Sequence, residues 1–193
     1  MRDFPDMHVT PYQEARKYLR PGMVAFFSMD TRGWKKVKHF ASWRVKRDQK
    51  PQHECSHVGL IDVVRGRRVV IEATSPRVRV APLSMFLGET ETPDGKHVDA
   101  YDGRVYVGEF AGCDGEVAAS GAWDNLLLPY DYLDIVALRL GIRRSDLSKY
   151  ICSELVAEAL KKSGVPLSAP HRTAYTPSDI AIDPAGYLLY RLR

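Results

Sequence analysis

No stretch of this sequence approaches the ~18–20 consecutive apolar residues that a bilayer-spanning helix needs. That excludes a helical membrane protein as the expected class. The N-terminus, MRDFPDMHVTPYQEARKYLR, has no apolar h-region, so no secretory signal peptide is expected. Cysteine is scarce: Cys55, Cys113 and Cys152 are odd in number and far apart, which argues against a disulfide framework. No CxxC or paired Cys/His spacing suggests a zinc knuckle. Internal repeats and low-complexity segments are absent too. Together these absences describe a soluble protein of a reducing compartment. A cytoplasmic location is the expectation, with carriage in a virus particle or export by another route as the alternatives.

What is present is an ordinary globular composition, 45% hydrophobic and 27% charged. At 193 residues, 1–193 reads as a single domain with enough chain to bury a core without a metal or a disulfide. No cofactor is expected. The net charge of +4 is concentrated in residues 32–50, where Arg32, Lys35, Lys36, Lys38, Arg44, Lys46, Arg47 and Lys50 face one acid, Asp48. Within it Val37, Phe40, Ala41, Trp43 and Arg44 fall at helical spacing, which predicts an amphipathic helix over 37–47. Such a segment is either a solvated face or a weak contact for an anionic membrane. Nucleic acid is not an expected partner, because one basic stretch with no recognised motif is all that supports it.

The rest of the chain alternates between short apolar runs and helical patterns. Residues 11–19 read as a short helix closed by Pro21-Gly22, and 23–28 as a buried strand. Residues 56–64 and 68–73 are β-branched runs around Arg65-Gly66-Arg67, a hairpin signal. Residues 76–83 continue extended, 88–103 read as a loop, and 104–110 as another strand. Helices are expected over 116–127, 131–140 and 152–162. The last ends in Lys161-Lys162-Ser163-Gly164 with Pro166 beyond, the usual order of C-terminal signals. Thr176-Pro177-Ser178-Asp179 opens a turn, and 187–192 reads as a final strand. Strands grouped mid-chain with helices on either side give an α+β class, with a central antiparallel sheet packed against helices.

Three residues carry the candidate chemistry. Cys152 falls at the first turn of its helix, where unpaired N–H groups and the helix dipole favour thiolate over thiol. It also shares a face with Leu155, Val156 and Ala159, so a small buried hydrophobe is the alternative. His57 begins the first hairpin strand and Glu72 ends the second. A two-residue turn pairs Glu72 with Gly59 or Ile61, both on the His57 face, within reach of the imidazole, whereas a one-residue change of register puts them on opposite faces. A carboxylate on one ring nitrogen leaves the other free to take a thiol proton; the alternative is a solvated surface pair. Tyr150 is either a cleft-side donor or a packed aromatic. His53, Cys55 and His57 alternate on one strand, a poor geometry for a metal. His8, His39, His97, His171 and Cys113 suggest no arrangement.

The order SHVGL, VVIEA and YICSELVAEAL resembles the circularly permuted NlpC/P60 papain-like hydrolases, in particular their YiiX/YebB-like branch. Pro-Gly before a short apolar strand, PYDYLDIVALRLGI ahead of the cysteine and Thr-Pro-Ser-Asp after it extend the resemblance over residues 19–180. The resemblance implies a permuted papain-like fold with Cys152 as nucleophile, His57 as base and Glu72 as the third polar residue. One departure is PGMVAFF, where the family often carries an acidic residue after the glycine. The implied activity is cleavage of an amide bond in a small peptide or amide, such as cell-wall peptide, through a thioester. Two alternatives stand beside it. One is a lipid-directed acyltransferase or thioesterase, resembling the lecithin:retinol acyltransferase group, acting on an acyl substrate. The other is a non-catalytic binding module.

Overall fold

The computed structural model describes residues 7–29, 55–88, 103–131, 149–168 and 174–193. The helix expected over 37–47, the basic 32–50 segment, the loop expected over 88–103 and nearly all of the helix expected over 131–140 lie outside these residues.

The described chain is α+β. In order it forms β1 (Val9–Thr10), α1 (Tyr12–Ala15), β2 (Val24–Met29), β3 (His57–Val64), β4 (Arg67–Thr74), β5 (Arg77–Pro82), β6 (Gly103–Phe110), α2 (Gly115–Trp123), α3 (Cys152–Lys162), α4 (Pro177–Ala181) and β7 (Gly186–Leu192). Single 3-10 turns follow α1 at Arg16–Tyr18 and β5 at Leu83–Leu87. The strands make one seven-stranded sheet in the order β1-β7-β6-β2-β3-β4-β5. The sheet is mixed, not wholly antiparallel as the sequence predicted, because β1 runs parallel to β7. Two residues are too few to show an alternating pattern, so β1 is set by its partner and not by its own sequence.

The β3–β4 hairpin forms where the Val/Ile-rich runs predicted it. Val64 pairs with Arg67 across a two-residue turn in which Arg65 has φ 49° and Gly66 φ 77°. Both central residues are left-handed, the conformation that matches the twist of a tight hairpin. The register then continues through Leu60 opposite Ile71.

Alternation along the strands feeds two apolar layers. Val24, Phe26, Val58, Leu60, Ile71, Ala73 and Tyr106 pack under α2 and α3, against Ala118, Ala122, Leu155, Val156, Ala159 and Leu160. The other face, with Ala25, Phe27, Ile61, Val70, Val105 and Val107, is covered by Tyr12, Ala15, Leu19 and Leu83. Tightly packed interiors of this kind fix where strand ends and helix ends meet.

The helix expected over 116–127 stops at Trp123. Asp114 caps its start, accepting from the N–H groups of Glu116 and Val117. Beyond Trp123 the chain leaves the helix to bond β5: Leu127 N–H donates to Val78 O and Val78 N–H to Leu128 O. A tertiary pairing has overridden the helical pattern of Leu126-Leu127-Leu128. Trp123 is itself pinned, its indole Nε1 donating to Asp62 of β3 at 2.7 Å.

Candidate active site

The site assembles where the start of α3 meets the start of β3. Ile151 is extended (φ −92°, ψ 161°), and Cys152 is the first helical residue. The first intrahelical bond runs from Leu155 N–H to Ile151 O at 3.2 Å. The N–H groups of the first turn therefore point along the axis with no acceptor in the preceding turn. Glu154 reaches back to accept from Ile151 N–H. Cys152 is 7% exposed, part of the helix-side core yet not sealed within it.

His57 opens β3 directly opposite Phe27 of β2. The two rings lie 5.4 Å apart, and Phe27 is in turn braced by Phe86 at 4.8 Å. This cross-strand aromatic contact holds one side of the imidazole. Nε2 of His57 meets Oε2 of Glu72 at 2.5 Å. Glu72 comes from β4, whose register with β3 places it across from Gly59, the first of the two sequence alternatives. Its side chain is 2% exposed, whereas that of His57 is 25% exposed.

Burial would favour a neutral Glu72, but its bonds to His57 and then to Arg79 win and hold it below the usual carboxylate range. Burial likewise opposes a charged His57. Attraction and hydrogen bonding to Cys152, followed by those to Glu72, outweigh it and push the imidazole up to about 10. With Nε2 on Glu72, the ring nitrogen left for the thiol is Nδ1. The structure thus brings Cys152, His57 and Glu72 together.

Several contributors were not read from the sequence. Arg79 of β5 is the direct cross-strand partner of Glu72. Its Nε and Nη2 approach Oε1 at 2.8 and 2.7 Å. The tight turn at Ser75-Pro76 carried that signal, since alternation from Thr74 opposite Arg77 puts Arg79 opposite Glu72. Gly59 is a second. A Cβ there would lie 2.4 Å from Val70 Cγ1 and 3.3 Å from Glu72 Cβ, so only glycine leaves space beside the carboxylate.

The Thr-Pro-Ser-Asp segment, read from the sequence only as a turn and a part of the resemblance, is a third. Thr176 and Asp179 form a reciprocal cap for α4, Asp179 N–H donating to Thr176 Oγ1 and Thr176 N–H to Asp179 Oδ2. The segment touches the neighbours of both Cys152 and His57. Ser153 Oγ, beside Cys152, donates to Tyr175 O at 2.6 Å, while Ser178 Oγ accepts from the N–H of Cys55, two residues before His57.

Tyr150 is a packed aromatic, 4% exposed, with its hydroxyl donating to Glu158 at 2.6 Å. Cys55 is buried, and its thiol bonds the carbonyls of His57 and Phe27; burial drives its thiol well above the ordinary range. Burial also raises Cys113, against the bond to Ser163. His53, His39, His97 and His171 lie outside the described residues.

No protein-family model matches this sequence, and no curated protein does. Among solved structures, the chain is similar to the crystal structure of metalloprotein YiiX from Escherichia coli O157:H7. The TM-score is 0.61 at 17% identity, over 89% of this chain and 97% of that one. The fold is YiiX-like. In this chain Cys152 is carried by a helix and His57 and Glu72 by adjacent strands of the mixed sheet. No described helix is long and apolar enough to cross a membrane.

Proposed function

We propose that the protein is a cysteine hydrolase of the permuted papain-like, NlpC/P60 kind, cleaving an amide bond in a small peptide or amide. One observation carries this reading: the imidazole that faces Cys152 is bonded on its other side to a buried, ionised carboxylate. That is the arrangement a thiol nucleophile requires of its base.

The chemistry follows from the geometry. His57 takes the proton of Cys152 as the sulfur attacks the substrate carbonyl carbon. The carbonyl π electrons move to oxygen, and the N–H groups at the start of α3 face the developing oxyanion. Collapse breaks the C–N bond as the His57 imidazolium passes its proton to the leaving amine. Water, deprotonated by the now neutral His57, attacks the thioester, and Cys152 leaves as the thiolate with the proton again on His57. Glu72 keeps the ring oriented and stabilises its charge throughout.

YiiX is a metalloprotein, which raises a metal as an alternative use of the same residues. Among the described residues, no group of three or more His, Cys, Asp and Glu could hold a metal ion. Glu72 has one oxygen on His57 and the other against the Arg79 guanidinium, a cation that would repel another. The described residues do not fit a metal centre.

The test is alkylation by iodoacetamide between pH 4 and 9, with the label located by mass spectrometry in the protein and in His57→Ala. Cys152 is expected to react at pH 6 at least tenfold faster than Cys55 and Cys113, which burial keeps as thiols, and His57→Ala to remove the advantage. An inert Cys152, or one indifferent to His57, sinks the enzyme reading. A long-lived fatty thioester on Cys152 would redirect it to acyl transfer.

A further inference from the structure

Arg79 stands in an unusual position for a surface arginine. Its backbone is paired directly across from Glu72, and its side chain, 48% exposed, reaches from solvent to a carboxylate that is 2% exposed. Both Nε and Nη2 converge on a single oxygen, Oε1, while Oε2 is left to His57. The guanidinium, the carboxylate and the imidazole therefore form one line of alternating charge, running from β5 through β4 to β3 and ending at the thiol of α3.

Resting on the reading of Cys152 and His57 as the reactive pair, we propose that Arg79 is a positioning residue. By occupying Oε1 it keeps Oε2 of Glu72 turned toward His57, and its fixed charge offsets part of Glu72's pull on the imidazole proton.

The reasoning is electrostatic. A carboxylate this deeply buried is costly unless it is paired and hydrogen-bonded. Arginine cannot lose its proton in the working range of a protein, so the pairing does not switch off with pH. A bare Glu72 would bind the imidazole proton so firmly that His57 would be a poor donor to a leaving amine. Adding a cation beyond the carboxylate weakens that hold without disturbing the ring's orientation. The other groups near His57 are Cys152 from α3, Cys55 from the residues just before β3 and the uncharged ring of Phe27 from β2. Of these only Cys152 is a strong charge partner, and it can be removed cleanly by substitution. Cys55 stays a thiol.

The experiment follows the titration of His57 by NMR of histidine-labelled protein in a Cys152→Ala background, with His57→Ala assigning the resonance. Removing the thiol isolates the effect of Glu72 and Arg79 on the ring. Adding Arg79→Gln is expected to move the His57 titration upward by about one pH unit, and Arg79→Lys, which keeps the charge, to leave it where Arg79 does. A purely structural arginine would show no such division between the two variants. An unmoved or lowered titration in Arg79→Gln overturns the proposal. If Arg79→Gln does not fold, a full-unit shift in Arg79→Lys also overturns it, because the charge would be conserved and the effect would not. Alkylation of Cys152 in the protein with its thiol intact reports separately on the hydrolase reading. Fast, His57-dependent labelling with an unmoved titration sinks the Arg79 proposal alone.

Discussion

His57 Nε2 and Glu72 Oε2 lie 2.5 Å apart across adjacent antiparallel strands, and the carboxylate is almost wholly withdrawn from water. Charge-assisted contacts of this length are strong where water cannot compete. Replacing Glu72 by Gln keeps the shape and removes the charge. On the proposed reading, the imidazole then loses part of the support for its charged form, and a proton taken from Cys152 is held less firmly. Alkylation of Cys152 at pH 7 is expected to slow about tenfold in Glu72→Gln, the equivalent of one pKa unit. An unchanged rate would show that the carboxylate does no more than fill space.

The same carboxylate makes stability depend on acid. Glu72 is held below its ordinary value of 4.5 in the folded chain. The unfolded chain therefore binds its proton first as pH falls. The stabilisation is fully present above about 4.5 and disappears as pH drops through the lower folded value. Urea midpoints measured from pH 7 to pH 3 should fall below pH 4.5, and fall less steeply in Glu72→Gln. Parallel acid limbs in the two proteins would assign the loss to other carboxylates.

Much of this site was legible because its parts are local patterns. The helix 152–162 matches α3 at both ends, since a lysine pair, glycine and proline mark its C-terminus. The register of β3 and β4 follows from one two-residue turn, which puts His57 and Glu72 on one face. What was hidden lies in relations between distant segments. Nothing near Leu126 announces that its neighbours leave α2 to bond Val78, and nothing in Val9-Thr10 announces a parallel pairing with β7. Arg79 was within reach of the same hairpin reasoning applied once more at Ser75-Pro76.

Gly59 is the residue whose substitution would test the packing beside Glu72. The added methyl of Gly59→Ala would lie 2.4 Å from Val70 Cγ1 and 3.1 Å from Ile71 O, so β3 and β4 must part or Val70 must move. Val70 is fully buried and has nowhere to go. Overpacking of this kind costs about 1–3 kcal/mol. Gly59→Ala should lower the urea midpoint accordingly and also slow His57-dependent labelling of Cys152, because Glu72 shares the crowded spot. Full stability in Gly59→Ala would mean that the strands yield easily there.

Ser153 offers a contrast between stability and chemistry. Its hydroxyl is fully buried and donates to Tyr175 O at 2.6 Å, joining the residue after Cys152 to the segment that also holds Cys55 through Ser178. Ser153→Ala leaves the half-buried Tyr175 carbonyl without this donor, at a cost of about 1 kcal/mol. It also frees the start of α3 to shift relative to β3. Asp114→Ala removes the cap of α2, on a helix that carries none of the three residues, at about 1 kcal/mol. Both variants should unfold at lower urea. Only Ser153→Ala should also slow Cys152 labelling at pH 6, since reactivity there depends on how the helix start faces the imidazole and not on global stability. Equal slowing in both would show that labelling follows overall loosening of the fold, and the clamp role of the 175–178 segment would be lost.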